Sequence, residues 1–177
     1  MSFGARPHHP LGLLSDSHSR RDRTARAVAA LRKAGATMLV HLGDVEDPDL
    51  LEELLIAGDD GAPLPVHLVP GNMDEPSELK SAADRLGIEF HHPSGEIEVA
   101  GQRVAFTHGD RDREVRRLLA SKPDYFLHGH THRTFDGTME GVRTINPGAL
   151  HRAATFTVAL LEPTSGLLTS IEIDRGT

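Results

Sequence analysis

Five short apolar runs in this chain each lead into side chains able to hold a metal ion. Leu13-Leu14 is followed by Asp16-Ser17-His18, and Leu39-Val40-His41-Leu42 by Gly43-Asp44. Leu68-Val69 is followed by Pro70-Gly71-Asn72, with Asp74 two places on. Val104-Ala105-Phe106 runs into Thr107-His108-Gly109, and Tyr125-Phe126-Leu127 into His128-Gly129-His130-Thr131-His132. Taken singly, each piece is commonplace: Asp-x-His caps helices, Gly-Asp and Gly-Asn make turns, and a lone histidine often sits satisfied in a core. The ordered set of five carries the reading. Asp16, His18, Asp44, Asn72, His108, His130 and His132 offer seven oxygen and nitrogen donors, more than one four-coordinate zinc uses. Two ions that share one carboxylate would take them all.

Such donors must be delivered to one place, and the pattern around them shows how. Strand carboxyl ends are where α/β sheets gather ligands, because there the chain leaves the core and side chains can converge. Leu11–Leu14, Thr37–Leu42 and Pro65–Val69 read as buried strands. Between them, Ala27, Val28, Leu31 and Ala34 recur at helical spacing up to Gly35. Asp47-Pro48 is an N-cap with proline at the first helical position, opening a helix with Leu50, Leu51, Leu54 and Leu55 on one face. A further helix begins near Pro76 and ends at Gly87. Glu96–Val99 and Val104–Thr107 form a hairpin, and Glu114–Ala120 a helix, followed by a strand at Tyr125–Leu127. From Thr134 onward the chain reads as strands and turns. Alternating strand and helix followed by hairpins predicts an α/β fold of two mixed β-sheets packed face to face with helices on the outer faces.

The chain has 177 residues, enough to hide roughly 70% of its unfolded surface, and no composition break divides it. It reads as one domain with residues 1–10 as an extended lead-in. It contains no Cys and twelve His, which excludes disulfides, thiolate metal sites and cysteine nucleophiles and points toward imidazole ligation. A net charge of −7, one Tyr and no Trp disfavour nucleic acid as a partner. Arg20, Arg21, Arg23, Arg26, Arg32 and Lys33, with Arg113, Arg116 and Arg117, could track a nucleic-acid backbone, but they are interspersed with Asp22, Asp112 and Glu114 and read better as solvated helix faces. No apolar run approaches the ~20 residues that cross a bilayer, and the expectation is a cytoplasmic protein. A homo-oligomer is left open. The His8-His9-Pro10 and His91-His92-Pro93 repeats read as surface loops.

With these residues in hand, the chain resembles the calcineurin-like metallophosphoesterase superfamily, in its small single-domain bacterial and archaeal phosphodiesterase branch, from about Leu11 to Ile173. The resemblance implies that Asp16, His18 and His132 hold one divalent ion, that Asn72, His108 and His130 hold the other, and that Asp44 bridges them. Asp44, Asn72 and His108 would then be catalytic. The implied reaction is phosphodiester hydrolysis, with two ions about 3.5–4 Å apart acidifying a water that attacks phosphorus in line. Mn²⁺ is the ion the resemblance favours, with Fe²⁺, Ni²⁺ and Zn²⁺ as alternatives suited to the same donors. Asn146-Pro147-Gly148 resembles a late turn of the branch with a structural role near the site. Asp74 and His41 are candidates to hold the loops or ligands in place, His41 equally a buried histidine satisfied by backbone.

Two positions depart from the family pattern. Met73 stands where the broader family often has a His that helps a leaving group depart, and a thioether has no proton to give. Asp110 stands where the branch often has a second His; solvation is the first expectation for it, with pairing to Arg111 or Arg113 or a supporting place behind the ligands as the alternatives. A phosphomonoesterase of the same fold and a metal-bound protein-binding scaffold are the rival readings, a nuclease a third.

Overall fold

The computed structural model describes residues 9–57 and 61–176. Residues 1–8, which hold most of the expected lead-in and His8, lie outside the described residues.

One sheet is built from the first half of the chain and its end. Its strands are β1 (Leu11–Leu14), β2 (Met38–His41), β3 (Val66–Leu68), β4 (Glu89–Phe90), β10 (Phe156–Glu162) and β11 (Leu167–Ile173), in the order β11-β10-β1-β2-β3-β4. β1 to β4 run parallel, and β10 closes antiparallel on β1. The second sheet holds β5 (Ser94–Val99), β6 (Gln102–Thr107), β7 (Tyr125–Leu127), β8 (Thr134–Met139) and β9 (Val142–Pro147), in the order β5-β6-β7-β9-β8. Both sheets are mixed, as the sequence predicts. β4 was not anticipated: two residues, Glu and Phe, carry no periodicity to read.

The central strands of such a sandwich are covered on both faces, so their residues are buried at odd and even positions alike, as in β1, β3 and β7. Leu11 and Leu13 face the second sheet and join Val40, Leu42, Val69, Val104, Phe106, Tyr125, Leu127 and Ile145 in the core between sheets. Leu14, Leu39, Val66 and Leu68 face the other way, onto α1 (Arg21–Lys33), α2 (Pro76–Leu86) and the segment Pro48–Leu55. On the far side, Leu118 and Leu119 of α3 (Asp112–Ala120) cover Ala105 and Phe126.

Helix ends follow their sequence signals. α2 has Pro76 in its first turn and ends at Gly87, whose φ of 70° is the left-handed conformation that suits glycine. Pro48–Leu55 is also capped as read, with Asp49 N–H donating to Asp47 Oδ1 at 3.0 Å. It winds as a 3₁₀ helix. In a three-residue turn Leu51 and Leu54 fall in line, so these two and Leu50 are buried while Leu55 is only partly covered. The four-leucine face expected there is therefore a three-leucine face. Among the described residues no helix is long and apolar enough to cross a membrane.

Candidate metal centre

The loops leaving β1 and β2 stay in contact beyond the strands. Asp16 N–H donates to Gly43 O at 2.9 Å, His18 N–H to Asp44 O at 3.0 Å, and Ser19 N–H to Val45 O at 3.0 Å. This ladder sets Asp16, His18 and Asp44 side by side at the carboxyl rim of the sheet. All three have positive φ (53°, 42° and 57°), as do His130 and His132 (66° and 57°). Left-handed backbone is uncommon for residues other than glycine, and least costly for Asp, Asn and His.

The seven donors predicted from sequence do converge. Single ligand atoms of Asp16, His18, Asp44 and His132 lie within 4.8 Å of one another, and so do those of Asp44, His108 and His130. Asp44 is common to both groups. Its Oδ2 is 3.5 Å from His18 Nε2 and 3.3 Å from His108 Nε2. Asp16 Oδ1 faces His132 Nε2 at 3.1 Å, and Asn72 Oδ1 lies 3.2 Å from His108 Nε2. Asp16, Asp44 and His108 form a buried floor, whereas Asn72 and His130 are exposed at the mouth. Asp16 Oδ1 and His18 Nε2 are buried and make no hydrogen bond. Buried polar atoms without partners are rare, and a divalent cation among these oxygens and imidazole nitrogens would satisfy both.

The surroundings fix each donor's orientation. His108 Nδ1–H donates to Leu42 O at 2.7 Å and His18 Nδ1–H to Glu46 Oε1 at 2.8 Å, which leaves both Nε2 atoms turned to the centre. Ser15 Oγ and His130 N–H donate to Asp16 Oδ2 at 2.6 and 3.2 Å. Met73 N–H donates to Asp44 Oδ1 at 2.9 Å. Asp74 binds the backbone, accepting from Val45, Glu46 and Gly71 N–H at 2.7–2.9 Å. It thus ties the Asn72 loop to the Asp44 loop and touches no ligand imidazole. Asn146 Nδ2 donates to Gly129 O at 2.8 Å and holds the turn carrying His130 and His132. Two glycines let the loops close in. A Cβ on Gly71 would stand 2.1 Å from Asp44 Oδ1, and one on Gly129 would stand 1.9 Å from Ser15 Oγ.

Charge is shared unevenly among these groups. Burial opposes a charged His108, but the carboxylates of Asp44 and Asp16 outweigh it and hold the imidazole above its ordinary value. Burial likewise opposes ionised Asp44, and there His108, Met73 N–H and His18 win, holding it below. Burial is unopposed by anything strong at His41, which is pushed down to about 3. His41 serves both roles considered for it: Nδ1 accepts from Gly43 N–H at 3.2 Å, and Nε2 lies 2.7 Å from Ser17 Oγ, between two ligand candidates.

The structure corrects two smaller expectations and adds one residue. Asp110 is not solvated. Its side chain is 17% exposed and pairs with Arg111 at 3.7 Å. His91 does not lie in a free surface loop but is half-buried against Phe106, with ring centroids 5.2 Å apart, while His92 is exposed as expected. Glu46 was missed. An acidic residue two places after Asp44 was the available signal, but nothing in a sequence says that it reaches back 28 residues to His18.

A curated relative, a probable metallophosphoesterase from Methanothermobacter thermautotrophicus, is 29% identical over 147 residues, spanning 78% of this chain and 76% of its own. Among solved structures, an archaeal phosphodiesterase superposes with a TM-score of 0.78 at 19% identity, covering 92% of this chain and 99% of its own. YfcE, a phosphoesterase from E. coli, gives 0.63 at 18% identity over 93% and 100%. At these identities the structural likenesses establish the fold, two mixed sheets between helices. The family model of the calcineurin-like phosphoesterase superfamily domain matches residues 10–166, and the chain belongs to that superfamily.

Proposed function

We propose that this chain hydrolyses small phosphodiesters with two divalent ions, preferentially Mn²⁺, held by Asp16, His18 and His132 on one side and Asn72, His108 and His130 on the other. The observation that carries the reading is Asp44, the one carboxylate shared by both donor groups. Divalent ions held there supply a water acidified near neutral pH and neutralise charge on the phosphoryl oxygens. The protein's own part is placement. Asp44 sets the spacing of the two groups, and its hydrogen bond from Met73 N–H keeps Oδ2 turned toward His18 and His108. Asn72, exposed at the mouth, is placed to orient the phosphate.

A diester differs from a monoester by a second substituent on phosphorus, and the site has room on two sides. A cleft of about 610 Å³ leads away from His130 and His132 past Arg133 and Arg152. Asn72 and Met73, which do not line that cleft, also lie open, Met73 being 53% exposed. Three of the arginines on the helix faces are engaged within the fold: Arg21 pairs with Glu52 and Glu53, Arg23 stacks on Phe156, and Arg117 pairs with Glu114.

The test is hydrolysis of bis(p-nitrophenyl) phosphate against p-nitrophenyl phosphate by chain stripped of metal and reloaded with Mn²⁺. The diester should turn over faster, and only after reloading. Equal or faster monoester turnover would reject diester preference, and inertness toward both with Mn²⁺, Fe²⁺, Ni²⁺ and Zn²⁺ would reject the enzyme. Met73 gives a finer expectation. With no acid to protonate a departing alkoxide, cleavage should fall steeply as the leaving group becomes more basic. Met73→His should flatten that dependence, and an unchanged slope would remove Met73 from the account.

A further inference from the structure

A second group of imidazoles lies away from the rim and shares no residue with it. His67, in the middle of β3, points between the sheets toward Phe106, and His91 follows β4 directly. His67 Nδ1 and His91 Nε2 are 3.0 Å apart, and Glu89 Oε2 lies 3.7 Å from the same His67 Nδ1. Single donor atoms of the three residues lie within 4.8 Å of one another. We propose that His67, Glu89 and His91 form a further divalent-metal site, of the zinc class, that clips the edge strand β4 onto β3.

The geometry is close to what such an ion requires. Zn–N and Zn–O bonds of about 2.0–2.2 Å in a tetrahedron set ligand atoms roughly 3.3–3.6 Å apart, and the observed separations of 3.0 and 3.7 Å straddle that range. A hydrogen bond between the imidazoles accounts for the first separation, and the register pairing of His67 with Glu89 delivers the carboxylate to the same nitrogen, so strand pairing itself assembles the three donors. Two imidazoles and one carboxylate suit Zn²⁺, with Co²⁺ and Ni²⁺ as competitors. Three protein donors leave the fourth position to water.

Both rings are held ready. His67 is 7% exposed, and its ring and that of His91 both meet the edge of Phe106. Gly95 makes the fit possible, since a Cβ there would stand 2.3 Å from Phe106 Cζ and 2.9 Å from His91 Cγ. Burial lowers the pKa of both histidines, with Glu89 opposing it, so the neutral, ligating form prevails at neutral pH. The strand so clipped is otherwise weakly attached. β4 joins β3 through two register pairs, His67 with Glu89 and Leu68 with Phe90, and His91 N–H adds one bond to Leu68 O at 2.8 Å.

The experiment measures Zn²⁺ content and thermal melting of the full chain. After equilibrium dialysis against Zn²⁺, the unmodified chain should carry one equivalent more than His91→Gln, whatever number the rim takes. Zn²⁺ should also raise its melting temperature further than that of the variant. In an Asp16→Asn/Asp44→Asn background, where rim binding is removed, one His91-dependent equivalent should remain. Loss of rim metal there with retention of this equivalent separates the fate of the clip from that of the phosphodiesterase reading. Equal Zn²⁺ content and equal melting shifts with and without His91→Gln overturn the clip. Should His91→Gln fail to fold, Glu89→Gln, at a residue whose side chain is 72% exposed, decides: weaker binding of the extra equivalent supports the site, and unchanged binding overturns it.

Discussion

Three residues or fewer separate two very different environments on each central strand. Leu13, Leu42, Val69, Phe106 and Leu127 are fully buried among apolar neighbours between the sheets, in the strands or directly at their ends. Just beyond them stand Asp16, Asp44, Asn72, His108 and His130, polar and charged, and Asp16, Asp44 and His130 have left-handed backbone. Among the described residues, eleven other than glycine have positive φ, and seven of these (Asp16, His18, Ser19, Asp44, Glu46, His130 and His132) crowd this rim. Each costs on the order of 1 kcal/mol, and the sum approaches the whole net stability of a typical domain. The rim's own hydrogen bonds, from the ladder between the Asp16 and Asp44 loops to the tie made by Asp74, work together with the strands beneath it. The strand bodies carry the strain and bring donors far apart in sequence into register.

If that division is right, substitutions should separate cleanly by position. Asp44→Asn removes the carboxylate common to both donor groups, and should lower kcat/KM for the diester by about 10³-fold and strip bound metal with little change in melting. Leu161→Ala, in the core between sheets, should do the reverse, removing about 2–5 kcal/mol of stability while the folded fraction keeps its kcat. An Asp44→Asn chain that unfolds, or a Leu161→Ala chain that folds but is inactive, would break the comparison. Gly71→Ala tests the seam between the two regions. Its new Cβ cannot share space with Asp44 Oδ1, so the carboxylate must move, and activity should fall about 10²-fold. Near-normal activity would show that the Asp44 loop yields more easily than its two backbone hydrogen bonds to Asp74, from Val45 and Glu46, suggest.

Much of this is legible in the amino-acid sequence, and for a physical reason. The strand bodies announce themselves as apolar runs, and the rim begins where each run stops, so both regions are written in local sequence. The seven donors were found that way. Glu46 was not, because its role is set by a side-chain contact across the loops and not by its neighbours in the chain. β4 was invisible because two residues of strand are defined only by the partner they pair with. The 3₁₀ winding of Pro48–Leu55 was hidden because Leu50, Leu51, Leu54 and Leu55 satisfy either turn until the space beneath them is known. His91 looked like a loop residue because its burial comes from Phe106, fifteen positions later.

Glu46 offers a smaller test. It touches His18 from outside the donor groups, at 2.8 Å, so it should tune affinity and leave the reaction otherwise intact. Glu46→Gln should weaken metal binding by about 10- to 100-fold, with kcat restored at saturating Mn²⁺. Failure of saturating Mn²⁺ to restore kcat would mean that Glu46 does more than orient His18.

The mildest expected effect concerns His41, which belongs to both regions: it ends β2 and braces Ser17 between Asp16 and His18. Burial, then the neighbouring His108, push its pKa down to about 3, whereas in an unfolded chain it sits near 6.5. Between those values the unfolded chain binds a proton that the folded chain refuses. His41 therefore leaves stability intact above about pH 6.5 and erodes it as pH falls toward 3. By pH 4.5 the loss from this one group is about 2–3 kcal/mol. His41→Gln should give up about 1 kcal/mol at pH 8, from the lost hydrogen bond, and then lose less than the unmodified chain on acidification. Urea midpoints at pH 8 and 4.5, taken with chelator present so that metal loss does not contribute, measure the difference. Parallel acid limbs for the two chains would mean that His41 is already protonated in the fold. Its Nδ1 would then have to donate where it now accepts from Gly43 N–H, and the ladder joining the Asp16 and Asp44 loops would need another support.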